Sequence, residues 1–276
     1  MRIIADTATL FAPSEGEAIG ITIIPVGVIV NGKTYKDYID ITSEEFLELI
    51  KAGGTLSTSQ PALGDILHMY ESTEDEILLL AVGDGLSGGY QTALGARNLV
   101  SDPERIHVIN SKTLAGPLRY LAKKAVLLKE EGLEIQAIKA ALEKSIESSV
   151  SFVIPEDFEF LKRSGRLTTI AAKVGGALKL LPVLTQTADK TRIKPVTIKR
   201  SWTAAVDTII QRLVEIGVDH EYLISVSHAG TYDRAFSVSQ QIKAIFSESE
   251  IEILDLSPAL MTHGGPGCIV VQAIRK

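Results

Sequence analysis

The sequence contains a single cysteine, Cys268, in the apolar stretch 268–271. One cysteine excludes a disulfide within the chain and fits a reducing compartment, so we expect a cytoplasmic protein. Metal ligands are sparse as well, because no two of the five histidines have the i, i+4 or short-loop spacing of a metal site. We therefore expect no bound metal and no other cofactor.

Long apolar runs are also absent, since no stretch reaches the ~20 residues that cross a bilayer. The first strand pattern, residues 2–5, follows Met1 without an apolar leader, so no secretory signal is expected. Basic residues are in the minority, with 28 against 34 acidic ones and a net charge of −6. This balance argues against a nucleic-acid surface, and the lack of apolar runs argues against stable membrane insertion.

What the sequence has in surplus is apolar residues, which make up 45% of the chain and could fill a core or line a cavity. Strand patterns alternate with helix patterns, as where an apolar strand at 77–82 precedes a helix at 90–99. This alternation predicts an α/β fold with mostly parallel sheets. We predict two α/β domains, 1–150 and 151–276, with a β-hairpin at Asn31-Gly32 inserted in the first.

A candidate anion site is the stretch Thr58-Ser59-Gln60-Pro61. Hydroxyl residues followed by Pro are typical of a helix start, and an apolar helical pattern runs through Tyr70. The start of a helix offers hydroxyls, free N–H groups and the positive end of the helix dipole, which suit a carboxylate or phosphate. The alternative is a helix cap with no ligand.

A second candidate lies in the glycine-rich stretch 83–89, which follows the strand at 77–82 and contains Ser87. It lacks the Gly-Lys-Ser/Thr of a nucleotide-binding P-loop. It does satisfy G-x-S-x-G, so a serine hydrolase with Ser87, His263 and either Asp233 or Asp255 is a competing hypothesis. Against this hypothesis, the chain places a hairpin and capped helices before Ser87, where a hydrolase has further strands and an oxyanion loop.

A third candidate is His263, which stands next to Gly264, Gly265, Pro266 and Gly267. Three glycines and a proline are typical of a turn whose backbone comes close to its neighbours. We therefore expect His263 in a turn before the last strand, where it could face a ligand.

With Thr58-Ser59-Gln60-Pro61, Leu86-Ser87-Gly88, Gly165-Arg166-Leu167 and His263 to Gly267 in this order, the whole chain resembles the DegV family. The resemblance implies two α/β domains with one long-chain fatty acid of C14 to C18 between them. It implies a carrier without an active site, which presents the lipid to a separate fatty acid kinase that makes the acyl phosphate. The carboxylate would be held by these residues: Thr58, Ser59, Ser87, Gly88 and His263.

By the same resemblance Arg166 would support the polar network, and the apolar segment 171–184 would help to enclose the tail. Two positions depart from the family's usual residues, because Asp84 replaces Ser and Gly89 replaces Thr. Asp84 would repel a carboxylate if it faced the ligand. Lys199 and Arg200 could dock an acidic partner, although a solvated strand end is the favoured interpretation.

Overall fold

The computed structural model describes residues 1–169 and 180–276, which form an α/β fold. The strands are β1 (Arg2–Asp6), β2 (Ile21–Ile24), β3 (Gly27–Val30), β4 (Lys33–Lys36), β5 (Leu56–Ser59), β6 (Ile77–Ala81), β7 (Ile106–Asn110), β8 (Val150–Ile154), β9 (Leu181–Gln186), β10 (Ile193–Lys199), β11 (Tyr222–His228), β12 (Glu250–Asp255) and β13 (Ile269–Arg275). The helices are α1 (Pro13–Ala18), α2 (Ser43–Lys51), α3 (Leu63–Glu71), α4 (Gly89–Arg97), α5 (Ala115–Glu130), α6 (Ile135–Ser148), α7 (Phe158–Arg163), α8 (Trp202–Ile216), α9 (Tyr232–Lys243) and α10 (Pro258–Gly264). The predicted α/β class is confirmed.

The first sheet has four parallel strands in the order β2, β1, β6, β7. Every residue of β6 is buried, as its unbroken apolar run predicts for a parallel strand covered on both faces. Because the strands are parallel, their carboxyl ends share one edge of the sheet. This edge carries Asp6 at the end of β1 and the glycine-rich loop 83–88 after β6.

A small antiparallel sheet of β4, β3 and β5 extends from this unit. Asn31 and Gly32 join β3 to β4 with φ values of 51° and 80°, the left-handed backbone that a tight hairpin requires, so the predicted hairpin is confirmed. The helix α2 begins after Thr42, whose hydroxyl accepts the N–H of Glu45 while the Glu45 carboxylate accepts the N–H of Thr42.

The second sheet has six strands in the order β10, β9, β8, β13, β11, β12. Only β11 and β12 in this sheet are parallel, joined by the crossover helix α9, so the mostly parallel arrangement holds for the first sheet and not for this one. The antiparallel pairs follow from two short connections. A short loop at 187–192 joins β9 to β10, and the turn at 265–268 sends the chain from α10 back along β13.

Helices α5 and α6 form a layer between the two large sheets. One apolar cluster joins Leu80 of β6, Leu118 and Leu121 of α5, Leu223 of β11 and Ile274 of β13. Burial of each such side chain contributes ~1.5–3 kcal/mol, so this layer ties the sheets together. The division into domains 1–150 and 151–276 stays a prediction.

No helix in the part of the chain that the structure describes is both long and apolar enough to span a bilayer. Within the same residues, no group of three or more His, Cys, Asp and Glu side chains is arranged to hold a metal ion.

Candidate functional site

A cavity of about 170 Å³ lies between the first sheet and the six-stranded sheet. Residues from both halves of the chain line it, and most of them are apolar. The residues that the resemblance assigns to the carboxylate and its polar network all line this cavity: Thr58, Ser59, Ser87, Gly88, Arg166 and His263. The apolar lining includes these residues: Val26, Val82, Leu86, Leu114, Phe152, Val153, Leu161, Ile193, Leu256, Leu260 and Val270.

Thr58 and Ser59 lie in strand β5, so their predicted position at a helix start is wrong. They pair with Val28 and Gly27 of β3, and the next helix begins only after Ala62, whose side chain makes no cap bond. A residue before Pro favours extended backbone over helix, which disfavours a helix start at Gln60. The Thr58 hydroxyl is hydrogen-bonded to His263 Nε2 at 2.9 Å, so these two residues of the expected carboxylate site lie side by side.

His263 lies in the last turn of α10, so the prediction that it stands in a turn before the last strand is wrong. Ser257 caps this helix through the N–H of Leu260, and Pro258 occupies its first turn. Burial, with a smaller effect of the Arg166 charge, lowers the pKa of His263 to about 4. The imidazole is therefore neutral at pH 7, and can share a hydrogen bond without carrying a charge.

Ser87 stands at the start of α4, as predicted. The loop before it is closed by bonds from the N–H groups of Leu86 and Ser87 to the Gly83 carbonyl. Its hydroxyl oxygen accepts the N–H of Gly89 at 3.2 Å. Gly88 is the N-cap residue, and a Cβ there would come within 2.7 Å of the Gln60 amide oxygen, so Gln60 packs directly on this backbone.

Arg166 connects the loop of Ser87 to the second half of the chain. Its Nε donates to the Leu86 carbonyl at 3.0 Å, and its guanidinium also donates to the Ser164 carbonyl. Burial, and next the charge of Arg192, lower its pKa from the usual value. Arg166 therefore fixes the backbone on which Ser87 stands, in keeping with the supporting role that the resemblance implies.

An open groove adjoins the cavity and shares Leu86, Ser87, Gly88, Ser164 and Arg166 with it. The groove alone also contains Asp84, Gly85, Gly165 and Arg192. The polar end of the cavity therefore leads to the surface.

Asp84, which replaces the family's usual Ser, lies in this groove and not among the cavity-lining residues. Its carboxylate accepts bonds from Gln91 Nε2 at 2.9 Å and from the N–H of Gly85 at 3.1 Å. Asp84 is therefore engaged by its own loop and helix.

Gly89, the other position that departs from the family's usual residue, is the first residue of α4 and lies near Asp6. A Cβ at Gly89 would have Ser87 Oγ at 3.5 Å and Asp6 Oδ2 at 3.9 Å, which are ordinary contacts. A small cavity of about 10 Å³ lies among Asp6, Pro61 and Gly89.

Two buried carboxyl groups, Asp6 and Asp37, lie close to the site. Asp6 accepts the N–H of Ala8, and burial raises its pKa to about 7, with a smaller contribution from Asp37. Burial likewise raises the pKa of Asp37 to about 6, although hydrogen bonds from the side chains of Thr7 and Ser257 act to lower it. The sequence places Asp6 at a strand end, but no pattern in it indicates that Asp37 is buried against the start of α10.

Gln272 is a lining residue that the sequence analysis misses. It is fully buried in β13, opposite Ser151 of β8. The signal was present, because Gln272 is the one polar residue among the five apolar residues of 269–274. Such a residue in a buried strand needs hydrogen-bond partners or a ligand.

The residues of the hydrolase hypothesis do not form a triad. Ser87 and His263 are not hydrogen-bonded to each other, and His263 bonds to Thr58 instead. Asp255 lies 3.3 Å from Nδ1 of His228, and Asp233 is exposed in the first turn of α9. Among the described residues, no carboxylate orients His263, as a catalytic histidine would require.

Two other expectations concern the pair Lys199 and Arg200 and the apolar segment 171–184. Lys199 ends the edge strand β10, and the exposed Arg200 follows it before α8, so their role in docking stays a prediction. The apolar segment 171–184 lies outside the described residues except for its last part, 180–184, where strand β9 (Leu181–Gln186) begins.

The chain matches known proteins along its whole length. The family model described as "Uncharacterised protein, DegV family" matches residues 1–276. The DegV domain-containing protein SA1258 of Staphylococcus aureus is 28% identical over 278 residues, which cover 99% of this chain and 98% of that protein.

Solved structures agree with this assignment. A DegV family protein from Thermus thermophilus, described as binding fatty acid, superposes with a TM-score of 0.90 at 25% identity, covering all of both chains. A DegV family protein from Ruminococcus gnavus, described with vaccenic acid, has a TM-score of 0.88 at 23% identity over 98% of each chain, which shows the same fold. This chain therefore belongs to the DegV family.

Proposed function

We propose that this protein binds one long-chain fatty acid of C14 to C18 in the cavity, with the carboxylate at Thr58, Ser59, Ser87, Gly88 and His263. The observation that carries the proposal is the apolar cavity whose polar end opens into the groove at Ser87. The fatty acid binding described for the Thermus thermophilus relative supports it.

The chemistry of the site suits such a ligand. A carboxylate taken out of water needs hydrogen bonds, and the hydroxyls of Thr58 and Ser87 with the N-terminus of α4 can donate them. The neutral His263 adds a polar group without a second buried charge. Each buried methylene contributes ~0.8 kcal/mol, so a C16 tail contributes on the order of 10 kcal/mol before the costs of binding.

Native mass spectrometry of the purified protein, repeated after denaturation, tests this proposal. We expect a non-covalent mass of a C14 to C18 fatty acid that is lost on denaturation. A protein that is empty and also fails to take up added palmitate would refute the proposal.

Substitution of the head-group residues tests their roles. Ser87→Ala and His263→Ala each remove a polar group at the carboxylate end, so we expect roughly ten-fold weaker palmitate binding with the fold intact by circular dichroism. Ser57→Ala is the matched control, because Ser57 is exposed and absent from the cavity lining. Unchanged affinity in both site variants would remove them from the binding site.

We further propose that the protein presents its lipid to a separate fatty acid kinase in the cytoplasm and has no enzymatic activity of its own. In support, the groove at Ser87 would expose the carboxylate end to a partner, and Arg166 and Arg192 could attract a phosphate there. Lys199 and Arg200 are the candidate docking residues.

A reconstituted assay with ATP and a fatty acid kinase tests this presentation, by measuring acyl phosphate on the loaded protein. Lys199→Glu with Arg200→Glu should slow the reaction and leave palmitate binding unchanged. Lys144→Glu, a charge change at an exposed residue of α6 outside the cavity, is the control. Full activity of the double variant would exclude these residues from docking.

A further inference from the structure

The side chain of Gln60 connects the two separate stretches that supply the proposed carboxylate site. Gln60 directly follows Ser59, the last residue of β5. Its Nε2 donates a hydrogen bond to Thr92 Oγ1 in α4 at 3.1 Å, and the Thr92 hydroxyl donates in turn to the Gly88 carbonyl at 3.1 Å. The end of β5 is therefore tied to the N-terminal end of α4, where Ser87 stands.

The glycine at position 88 leaves room for this amide. A Cβ at Gly88 would lie 2.7 Å from Gln60 Oε1, 3.0 Å from its Cδ and 3.1 Å from its Nε2, so the whole amide group lies against the Gly88 backbone. The φ of Gly88 is −77°, a value that any residue adopts, so the backbone conformation does not require glycine here. What the missing Cβ provides is the close approach of Gln60.

The backbone on both sides of Gln60 is held in place. On one side Ser59 pairs with Gly27 of β3. On the other side Pro61 is buried, has a fixed φ and favours extended backbone at Gln60. Pro61 Cδ also lies 3.9 Å from the Cβ position of Gly89, so two successive residues pack along the start of α4.

The two stretches need such a connection to act on one carboxylate. In the part of the chain that the structure describes, no hydrogen bond joins the side chains of Thr58 or Ser59 to that of Ser87. Hydrogen bonds weaken when donor and acceptor are more than about 3.2 Å apart, so hydroxyls from separate elements have to be held at a fixed spacing. The bond between Gln60 and Thr92 supplies this connection.

We infer that Gln60 is a positioning residue of the carboxylate site, which holds β5 against the start of α4 through Thr92 so that the hydroxyls of both stretches meet on one carboxylate. This inference rests on the proposed fatty acid binding and adds how its head-group site is assembled. Because the bond joins two neutral groups at an exposed position, its loss should weaken binding and not abolish it.

Palmitate binding by single and double variants tests this role. Gln60 is among the described residues that line the cavity and Thr92 is not, so a loss of affinity in Thr92→Val is transmitted to the ligand by other residues. We expect Gln60→Ala and Thr92→Val each to weaken palmitate binding roughly five-fold. The double variant should bind no more weakly than either single variant, because both remove the same hydrogen bond. Thr92→Ser keeps the hydroxyl and should bind as the wild type does.

Carbon NMR of bound palmitate separates positioning of the carboxylate from general damage to the cavity. Two samples are compared, one with ¹³C at the carboxyl carbon and one with ¹³C at the terminal methyl carbon. In Thr92→Val and in Gln60→Ala the carboxyl resonance should move from its wild-type position, because the spacing of its hydrogen-bond donors changes. The methyl resonance should stay where it is in the wild type.

Wild-type palmitate affinity in Thr92→Val would overturn the inference, and so would losses that add up in the double variant. A methyl resonance that moves as far as the carboxyl resonance would also overturn it, since this indicates a general change of the cavity. Gln60 is exposed, so Gln60→Ala keeps the NMR comparison available even if Thr92→Val fails to fold. Failure of the wild-type protein to bind palmitate would instead refute the proposed function.

Discussion

Replacement of Asp6 by Asn should stabilise the protein, and more so at higher pH. Asp6 is 6% exposed, and burial raises its pKa from 3.8 to about 7. Between these two values the unfolded chain releases the proton and the folded chain keeps it, so stability is lost as the pH rises. Asn keeps an oxygen for the N–H of Ala8 and has no charge to bury.

The size of the effect follows from the two pKa values. With 3.8 and about 7, burial of Asp6 costs about 1.7 kcal/mol at pH 5 and about 4 kcal/mol at pH 8. The free energy of unfolding of Asp6→Asn, relative to wild type, should therefore be higher by about 2.5 kcal/mol at pH 8 than at pH 5. Subtracting the effect at pH 5 from the effect at pH 8 removes any pH-independent cost of accommodating the amide at this position.

Urea denaturation followed by circular dichroism at pH 5 and pH 8 measures this difference. Asp102→Asn is the control, because Asp102 is exposed and its side chain makes no cap bond. An equal effect of Asp6→Asn at both pH values would refute the reasoning, and so would a loss of stability that grows with pH.

Three further predictions concern the surroundings of the site. Gly89→Ala should retain palmitate binding and raise the melting temperature slightly, because a Cβ meets nothing closer than 3.5 Å and Ala favours the helix; a large loss of binding would contradict this. Lys190→Met should lower the free energy of unfolding in urea by about 2 kcal/mol, since Lys190 Nζ donates to the carbonyls of Ile146 and Ser149 at the end of α6. A fluorophosphonate probe should not label Ser87, as mass spectrometry would show, because no described carboxylate and histidine activate it.

The fold could be predicted wherever the sequence carries a local signal. The apolar run of β6, the Asn31-Gly32 turn and the capping box at Thr42 each specify their own element, and the structure has all three. The order of strands in the six-stranded sheet could not be predicted in this way. It depends on the short turns around β9, β10 and β13, which reverse the chain where alternating helices suggested parallel crossovers.

The residues that line the cavity could be predicted by their type better than by their local structure. Thr58, Ser87 and His263 all line one cavity, yet Thr58 lies in a strand and His263 in a helix. Thr58 lies in a strand because it pairs with β3. The two strands are far apart in the sequence, so the four-residue motif at 58–61 does not indicate this pairing. The helix that contains His263 could have been predicted, because Ser257 followed by Pro258 is a typical helix start.

Helix α5 packs against both large sheets, so the two sheets share one apolar core. This shared core has a consequence for the thermodynamics of unfolding. Leu118 and Leu121 contact the apolar cluster of both sheets, so neither sheet can lose its structure without exposing the other. Unfolding should therefore occur in one cooperative transition, detected at the same denaturant concentration by tryptophan fluorescence from Trp202 and by far-ultraviolet circular dichroism. The free energy of unfolding then belongs to the whole chain, and a ligand held between the sheets would stabilise both of them at once.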